Sequence, residues 1–480
     1  MTTNGPESLP GDLLRTRDME GTLKFITTVS IEQGGVGAAL PGHQLAAVVR
    51  FLLEREPERD GRGEPLTPGE LMLCCELASE VIVSPDSAFG VPVSDTAWSM
   101  QHRAAYQQLP DGEASGYVPR SLALYRQIAP GLQDSSGFAF EAAYEQAYGV
   151  TIDQVWVIGR ALWERSQEHP GESIDAADLA SHIAVDGVGA AQVESFFAIM
   201  ACDYATFRSM LGVPSGEDPH FEPYNINPFR KFPILKLPDG KYLAPIRSYL
   251  MRRITHGLYY DLIELDRGGF IRLVANAYFG YVGKLIEGQS GVRSLPGGVW
   301  LIDSADTTIV IECITRPFGA MSRSTGNRED LRADLARRGG VVDHVIRLRE
   351  QLDAVATTGR SDGTAKRTAG LIVALEDFYQ ANGPFIRGVI DEELAARSFA
   401  PMDASIQLAH VSGLEALSAL STRTDVPITE LMAAKVERSE HGGLELDAFV
   451  RYQVATLLPG QDPLLRPRVF DDVVAAYLGP

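Results

Sequence analysis

Apolar residues recur at three- and four-residue steps from about residue 23 to residue 212, and this spacing predicts helices joined by short loops. GHQLAAVVRFLLERE (42–56), FEAAYEQAYGV (140–150), TIDQVWVIGRALWERSQEH (151–169) and AAQVESFFAIMACDYATFRSML (190–211) carry it most clearly. Asp60–Pro68 reads as a Gly/Pro/charge loop, and Thr67-Pro68-Gly69-Glu70 then has the capping-box pattern. Ser173-Ile174-Asp175-Ala176 reads as a cap before a short helix. No repeat is evident, which predicts a helical domain and not a solenoid.

The pattern changes after a Pro/Asn-rich connector at 214–229. In KFPILKLPDGKYLAPI (231–246), two apolar runs flank Pro238-Asp239-Gly240, a turn sequence that predicts a β-hairpin. SYLMRRITHGLYYDLIEL (248–265) and FIRLVANAYFGYVGKLIEG (270–288) return to helical spacing. GGVWLIDSADTTIVIECITRPF (297–318) has β-branched runs on either side of Ser304-Ala305-Asp306-Thr307, a second hairpin. An arginine-rich helix is expected at roughly 328–357, a strand and loop at GLIVALEDFY (370–379), and a strand turning into a helix at SIQLAHVSGLEAL (405–417). Strands alternating with helices in this way predict a mixed α/β sheet covered on both faces. The expected organisation is a flexible N-terminus (1–22), an acidic α-helical domain (23–213), a connector with a β-hairpin and a basic helix (214–265), and a C-terminal α/β domain (266–480).

The 480 residues are 45% hydrophobic and 22% charged, which excludes disordered and collagen-like classes. No apolar run approaches the roughly 20 residues that span a bilayer. The N-terminus lacks the basic-then-apolar pattern of a secretory signal, so a cytoplasmic protein without membrane contact is expected. Cys74, Cys75, Cys202 and Cys313 are too few and too irregularly spaced for a disulfide framework or zinc site. The adjacent pair, in LMLCCELA, reads as buried thiols. The net charge of −20 is uneven, with roughly 13 Lys/Arg against 32 Asp/Glu in residues 1–227. That acidity disfavours nucleic-acid binding by the first half and leaves it as a candidate surface for a protein partner. Arg230, Lys231, Lys236, Lys241, Arg247, Arg252 and Arg253 crowd a segment whose one nearby acid is Asp239. Residues 228–256 are therefore a candidate nucleic-acid face, although a solvated surface offsetting the acidic half is the simpler account of them.

The order helix–hairpin–helix–strand–strand, with IVIEC closing the hairpin, resembles the core of the PD-(D/E)xK (restriction-endonuclease-like) nuclease superfamily. FEAAYEQAYG, NPFRKFPILKLPDGKYLAPIRSYLMRRITHGLYY and YVGKLIE extend a resemblance to uncharacterised bacterial proteins carrying such a C-terminal domain, over roughly residues 140–480. The resemblance implies an acid opening the first hairpin strand, Glu-x-Lys closing the second and a further Glu on the preceding helix, together holding Mg²⁺. Here Val299, Ile314 and Phe279 stand at those positions beside the one surviving acid, Glu312. With Ala305-Asp306 as the turn, Val299 lies opposite Glu312 and Asp303 opposite Thr308. Asp303 is then about 13 Å from Glu312, at about 3.3 Å per residue, too far to share a metal.

These departures imply a degenerate nuclease-like protein that binds nucleic acid or a protein partner without a cofactor; the resemblance alone implies bacterial defence or mobile-element biology as its setting. Glu312, Arg316 and Asp303 are the candidates for a vestigial site, with no residue assigned as catalytic or as a metal ligand. Alternatively Glu312 is a leftover charge paired with Arg316. The enzyme alternative is a Mg²⁺-dependent nuclease with a displaced site built on Glu312 and Arg316. Gly34-Gly35-Val36-Gly37 and Gly187-Val188-Gly189 lack the strand–loop–helix setting of a dinucleotide site and read as loops. Asp343-His344 reads as a surface pair without a third ligand. Tyr259, Tyr260, Tyr278 and Tyr281 read as core.

Overall fold

The computed structural model describes residues 13–14, 16–31, 40, 42–54, 63–83, 98, 102, 114–183, 187–211, 228–319, 322–323, 326–356, 366–461 and 465–477. The glycines at 34–37, nearly all of the expected connector at 214–229, and most of the N-terminal segment 1–22 lie outside them. The chain divides into two units: Met1–Gly90 with Arg103–Val118 and Phe138–Phe270, and Val91–His102 with Pro119–Gly137 and Ile271–Pro480.

Unit 1 is mainly helical: α1 (Met19–Ile31), α2 (Gly42–Glu54), α3 (Pro68–Val83), α4 (Phe140–Tyr148), α5 (Ile152–Glu168), α6 (Ala176–His182) and α7 (Ala190–Met200). The capping chemistry read from the sequence is present. Thr67 Oγ1 accepts from Glu70 N and the Glu70 carboxylate accepts from Thr67 N, while the Asp175 side chain accepts from Ala177 N. Leu23, Ile26, Leu45, Val49, Leu52, Leu71 and Phe207 fill the core together with Cys74 and Cys75. Burial pushes those two thiols up to about 11 and about 12, so neither supplies a thiolate.

The helix expected over 190–211 is interrupted. Ala201–Asp203 form β1, which pairs in parallel with β2 (Ile234–Lys236), and Asp203 then caps α8 (Tyr204–Leu211) by accepting from Thr206 N. Ladder bonds and a new cap replace one turn of helix, an exchange that periodicity alone cannot reveal. β2 pairs antiparallel with β3 (Tyr242–Leu243) across the Pro238-Asp239-Gly240 turn, where Gly240 takes φ +86°. The helix expected over 248–265 bends at His256 into α9 (Arg247–Thr255) and α10 (Gly257–Leu265), and across that bend Arg253 grips Asp261.

Unit 2 is built on a five-stranded mixed sheet in the order β4-β5-β6-β7-β8. After α11 (Arg267–Ile286), β4 (Val292–Leu295), β5 (Val299–Asp303) and β6 (Thr307–Ile314) form an antiparallel meander. α12 (Arg328–Ala336) and α13 (Val341–Ala356) lead to β7 (Arg367–Ala374), parallel to β6; α14 (Pro384–Ala396) leads to β8 (Ile406–His410), parallel to β7. α15 (Val411–Thr424), α16 (Ile428–Glu437), α17 (Leu446–Leu457) and α18 (Arg468–Tyr477) follow. The single helix expected over 328–357 is two, because Gly339 takes φ +70° and its N–H is accepted by Asp343, which starts α13 afresh.

The β5–β6 register places Val299 opposite Glu312 and Asp303 opposite Thr308, as the hairpin arithmetic predicts. Alternation along the strands then sorts the faces. Val299, Glu312, Ile314, Ile372, Ala374 and His410 share the face that α13 covers; Trp300, Ile311 and Leu371 share the other. Two glycines permit close packing. A Cβ on Gly283 of α11 would meet the Trp300 ring at 2.4 Å, and one on Gly370 of β7 would meet Leu348 of α13 at 2.7 Å. Gly370→Val is therefore expected to cost about 1–3 kcal/mol through overpacking, read as a lowered midpoint in urea unfolding. Among the described residues no helix is long and apolar enough to cross a membrane.

Candidate functional site

Glu312 is 2% exposed, and its carboxylate faces α13 instead of Arg316. The Val341–Val345–Leu348–Leu352 stripe packs α13 on the sheet, which leaves His344 and Arg347 on the flank above β6. His344 Nδ1 lies 2.5 Å from Glu312 Oε2, and Arg347 Nη2 lies 3.2 Å from the same oxygen. Because a carboxylate only accepts, the network assigns the imidazole proton to Nδ1. The second oxygen, Oε1, is buried without a hydrogen-bond partner among the described residues. His344 is thus no surface pair with Asp343, which turns away to accept from Arg397 and Gly339 N.

Arg316, two residues past Ile314, stands 3.7 Å from Glu376, just beyond the end of β7. Arg323 ion-pairs with the same Glu376 carboxylate, which is 1% exposed. At the end of β8, His410 Nε2 is 3.8 Å from Asp377, and Nδ1 is 2.7 Å from Ser412 Oγ. These groups all sit at the carboxyl ends of the parallel strands β6, β7 and β8. Ligands of open α/β sheets bind outside those ends.

Asp303 lies at the opposite end of the hairpin. Its carboxylate accepts from Lys366 Nζ at 2.8 Å and from Thr308 Oγ1 at 2.7 Å. Burial pushes that carboxyl up, but the two hydrogen bonds and the Lys366 charge outweigh it and hold the group below the usual range. Phe279 is half-buried, stacked on Trp300 with ring centroids 4.7 Å apart, while Trp300 Nε1 donates to Phe279 O. The filler of the Glu312 neighbourhood is therefore Val299 (1% exposed) and Ile314 (6%), not Phe279.

The basic segment of unit 1 is thinner at the surface than its composition suggests. Arg253 is 4% exposed and bidentate to Asp261, an acid supplied by the next helix, and Arg252 is 8% exposed. Arg247 lies over the Trp163 ring, and Arg230 is half-buried. Lys231, Lys236 and Lys241 remain exposed.

The donor set does not fit Mg²⁺. A hard cation needs several oxygens at about 2.1 Å. The ladder position facing Glu312 holds a valine, the position two residues on holds an isoleucine, and the one carboxylate already receives a guanidinium and an imidazole N–H. Among the described residues no group of three or more His, Cys, Asp and Glu could hold a metal. Comparison with protein-family models, curated proteins and solved structures finds no match for this chain.

Arg347, Glu376, Asp377 and His410 escaped the sequence reading, and His344 enters it only as a surface pair with Asp343. The i, i+3 spacing of His344 and Arg347 beside the apolar stripe was the available signal; nothing local marks the meeting of Arg316 with Glu376.

Proposed function

We propose that the chain is a catalytically degenerate, nuclease-like protein with a restriction-endonuclease-like C-terminal domain, which binds nucleic acid or a protein partner instead of cutting. The order α11, β4-β5-β6 meander, α12–α13, parallel β7 supports the fold reading. The observation that carries the functional reading is the register: Val299 sits directly opposite Glu312, and Ile314 follows on the same face, both under hydrocarbon packing. Burying several carboxylates without their cation is costly, so apolar replacement is the expected companion of lost metal chemistry. Its place in the cell, on this reading, is the bacterial cytoplasm, in defence.

The displaced-site alternative gains an acid, since Glu376 stands beside Arg316. However, Glu312 is level with Ile372 in the ladder, and Glu376 lies four residues further on, about 13 Å at about 3.3 Å per residue. One Mg²⁺ cannot bridge them. Incubation with labelled single- and double-stranded DNA and RNA, with Mg²⁺, Mn²⁺ or chelator, tests the reading. Metal-independent retention of intact strands is expected. Metal-dependent cleavage abolished by Glu312→Ala would overturn it.

A further inference from the structure

At the carboxyl ends of β6–β8 the charges are layered. The acids lie innermost: Glu312, Glu376 and Asp377 are 2%, 1% and 5% exposed. The cations lie further out, with the side chain of Arg316 26% exposed and that of Arg347 47%. Each arginine leaves part of its guanidinium unused. Arg347 reaches Glu312 through Nη2 alone, and Arg316 donates from Nε to Phe318 O; among the described residues the remaining N–H groups of both donate to no carboxylate or carbonyl. Buried carboxylates that fix guanidinium groups while leaving their outer N–H bonds free make a preorganised receptor for tetrahedral oxyanions, which match the planar fork.

We propose that Arg347, held on Glu312, and Arg316, held by Phe318 O beside Glu376, each contact a phosphate of a nucleic-acid backbone at the carboxyl ends of β6–β8. The inference rests on the nucleic-acid branch of the reading above and says where that contact is made. It also accounts for Glu312 among apolar neighbours: it holds an arginine instead of a metal ion. Arg337, exposed and donating from Nη2 to Arg316 O at 2.5 Å, extends the cationic rim.

The test is fluorescence anisotropy of labelled 30-nucleotide single-stranded DNA, duplex DNA and single-stranded RNA in chelator, across a salt series, with inorganic phosphate as competitor. The full-length protein is compared with Arg316→Ala/Arg347→Ala and with Lys231→Ala/Lys236→Ala/Lys241→Ala. Loss of about tenfold or more in affinity for the arginine variant, with the salt slope reduced by about 0.7–0.9 per lost phosphate contact, supports the site. Should Arg316→Ala perturb folding, the single Arg347→Ala on the helix flank carries the same comparison. Unchanged binding by the arginine variants alongside loss in the lysine variant overturns the site and leaves nucleic-acid binding standing. Absence of binding to every strand by the unmodified protein overturns both. Equal displacement of strands by millimolar phosphate from the unmodified protein and from the arginine variant also overturns the site, since it places the phosphate contact elsewhere.

Discussion

Glu415→Ala is expected to lower the stability of unit 2 by about 3–5 kcal/mol, because it strands a buried arginine. Glu415 of α15 and Arg120 are each 4% exposed, and their two hydrogen bonds, Nε to Oε1 and Nη2 to Oε2, are both 2.7 Å. Tyr281 of α11 adds a third, donating from its hydroxyl to Glu415 Oε1 at 2.6 Å. Burial pushes the Tyr281 hydroxyl well above its usual range, and the Glu415 charge beside it pushes further, so it remains a donor at any working pH. Tyr281→Phe removes one bond to a charged acceptor and should cost about 1.5–3 kcal/mol. The discriminating variant is Arg120→Met/Glu415→Leu. Replacing both charges by apolar groups of similar size is expected to cost only the about 1–3 kcal/mol of a Tyr281 hydroxyl left without its acceptor, since the pair's attraction is largely offset by its desolvation. Urea unfolding of the four proteins checks this. If the double variant is as unstable as Glu415→Ala, the cost comes from lost packing and not from the orphaned charge.

Periodicity carried most of the fold. The β5–β6 register followed from one turn assignment, since the side-chain period of two leaves few ways to bury a face once the turn is set. The errors share a cause. β4 is short, half-exposed and rich in polar residues, so VRSL has neither alternation nor a hydrophobic run, and it becomes a strand because the β5 edge offers it partners. β1 likewise exists through β2. The break at Gly339-Gly340 was visible as two glycines but reads as a tolerated weak point until Asp343 is seen capping the new start. In the site, Glu312 and Ile314 fall on one face by counting, because they share β6, and Arg316 follows two residues beyond its end. Their partners come from α13 and from the residues following β7, after about 30 to 60 residues of intervening chain, and no local pattern encodes that distance. The basic segment misled for the same reason: Arg253 lacks an acid within its own helix but finds Asp261 across a bend.

A second large effect is a two-sided pH profile in the α16–α17 region of unit 2. Lys435 is fully buried in α16, donating from Nζ to His441 O at 2.9 Å and to Leu444 O at 2.7 Å, with the Phe449 ring 5.7 Å away. Carbonyl dipoles only partly replace water, and burial pulls the amine down to about 8 from 10.5; Glu445 opposes and Arg387 reinforces that change. Glu445, whose Oε1 accepts from Asn382 N at 3.0 Å, is driven the other way, with burial and then the Asp447 charge pushing it up to about 7 against the Asn382 bond, Lys435 and Arg387. The signs follow from proton counting. Between about 4.5 and about 7 the folded chain holds the Glu445 proton that the unfolded chain has lost, so this stabilising contribution disappears as pH rises. Between about 8 and 10.5 the unfolded chain holds the Lys435 proton that the folded chain has lost, so stability is regained with rising pH. The gain is about 3 kcal/mol, because each pH step of one across that window contributes about 1.4 kcal/mol. The contribution of this pair therefore passes through a minimum near pH 7–8. Lys435→Met is expected to abolish the alkaline limb and leave the acidic one, and Glu445→Gln to do the reverse, in urea midpoints measured from about pH 4 to about pH 10. An alkaline limb that survives Lys435→Met assigns the rise to another group and removes the buried ammonium from the account.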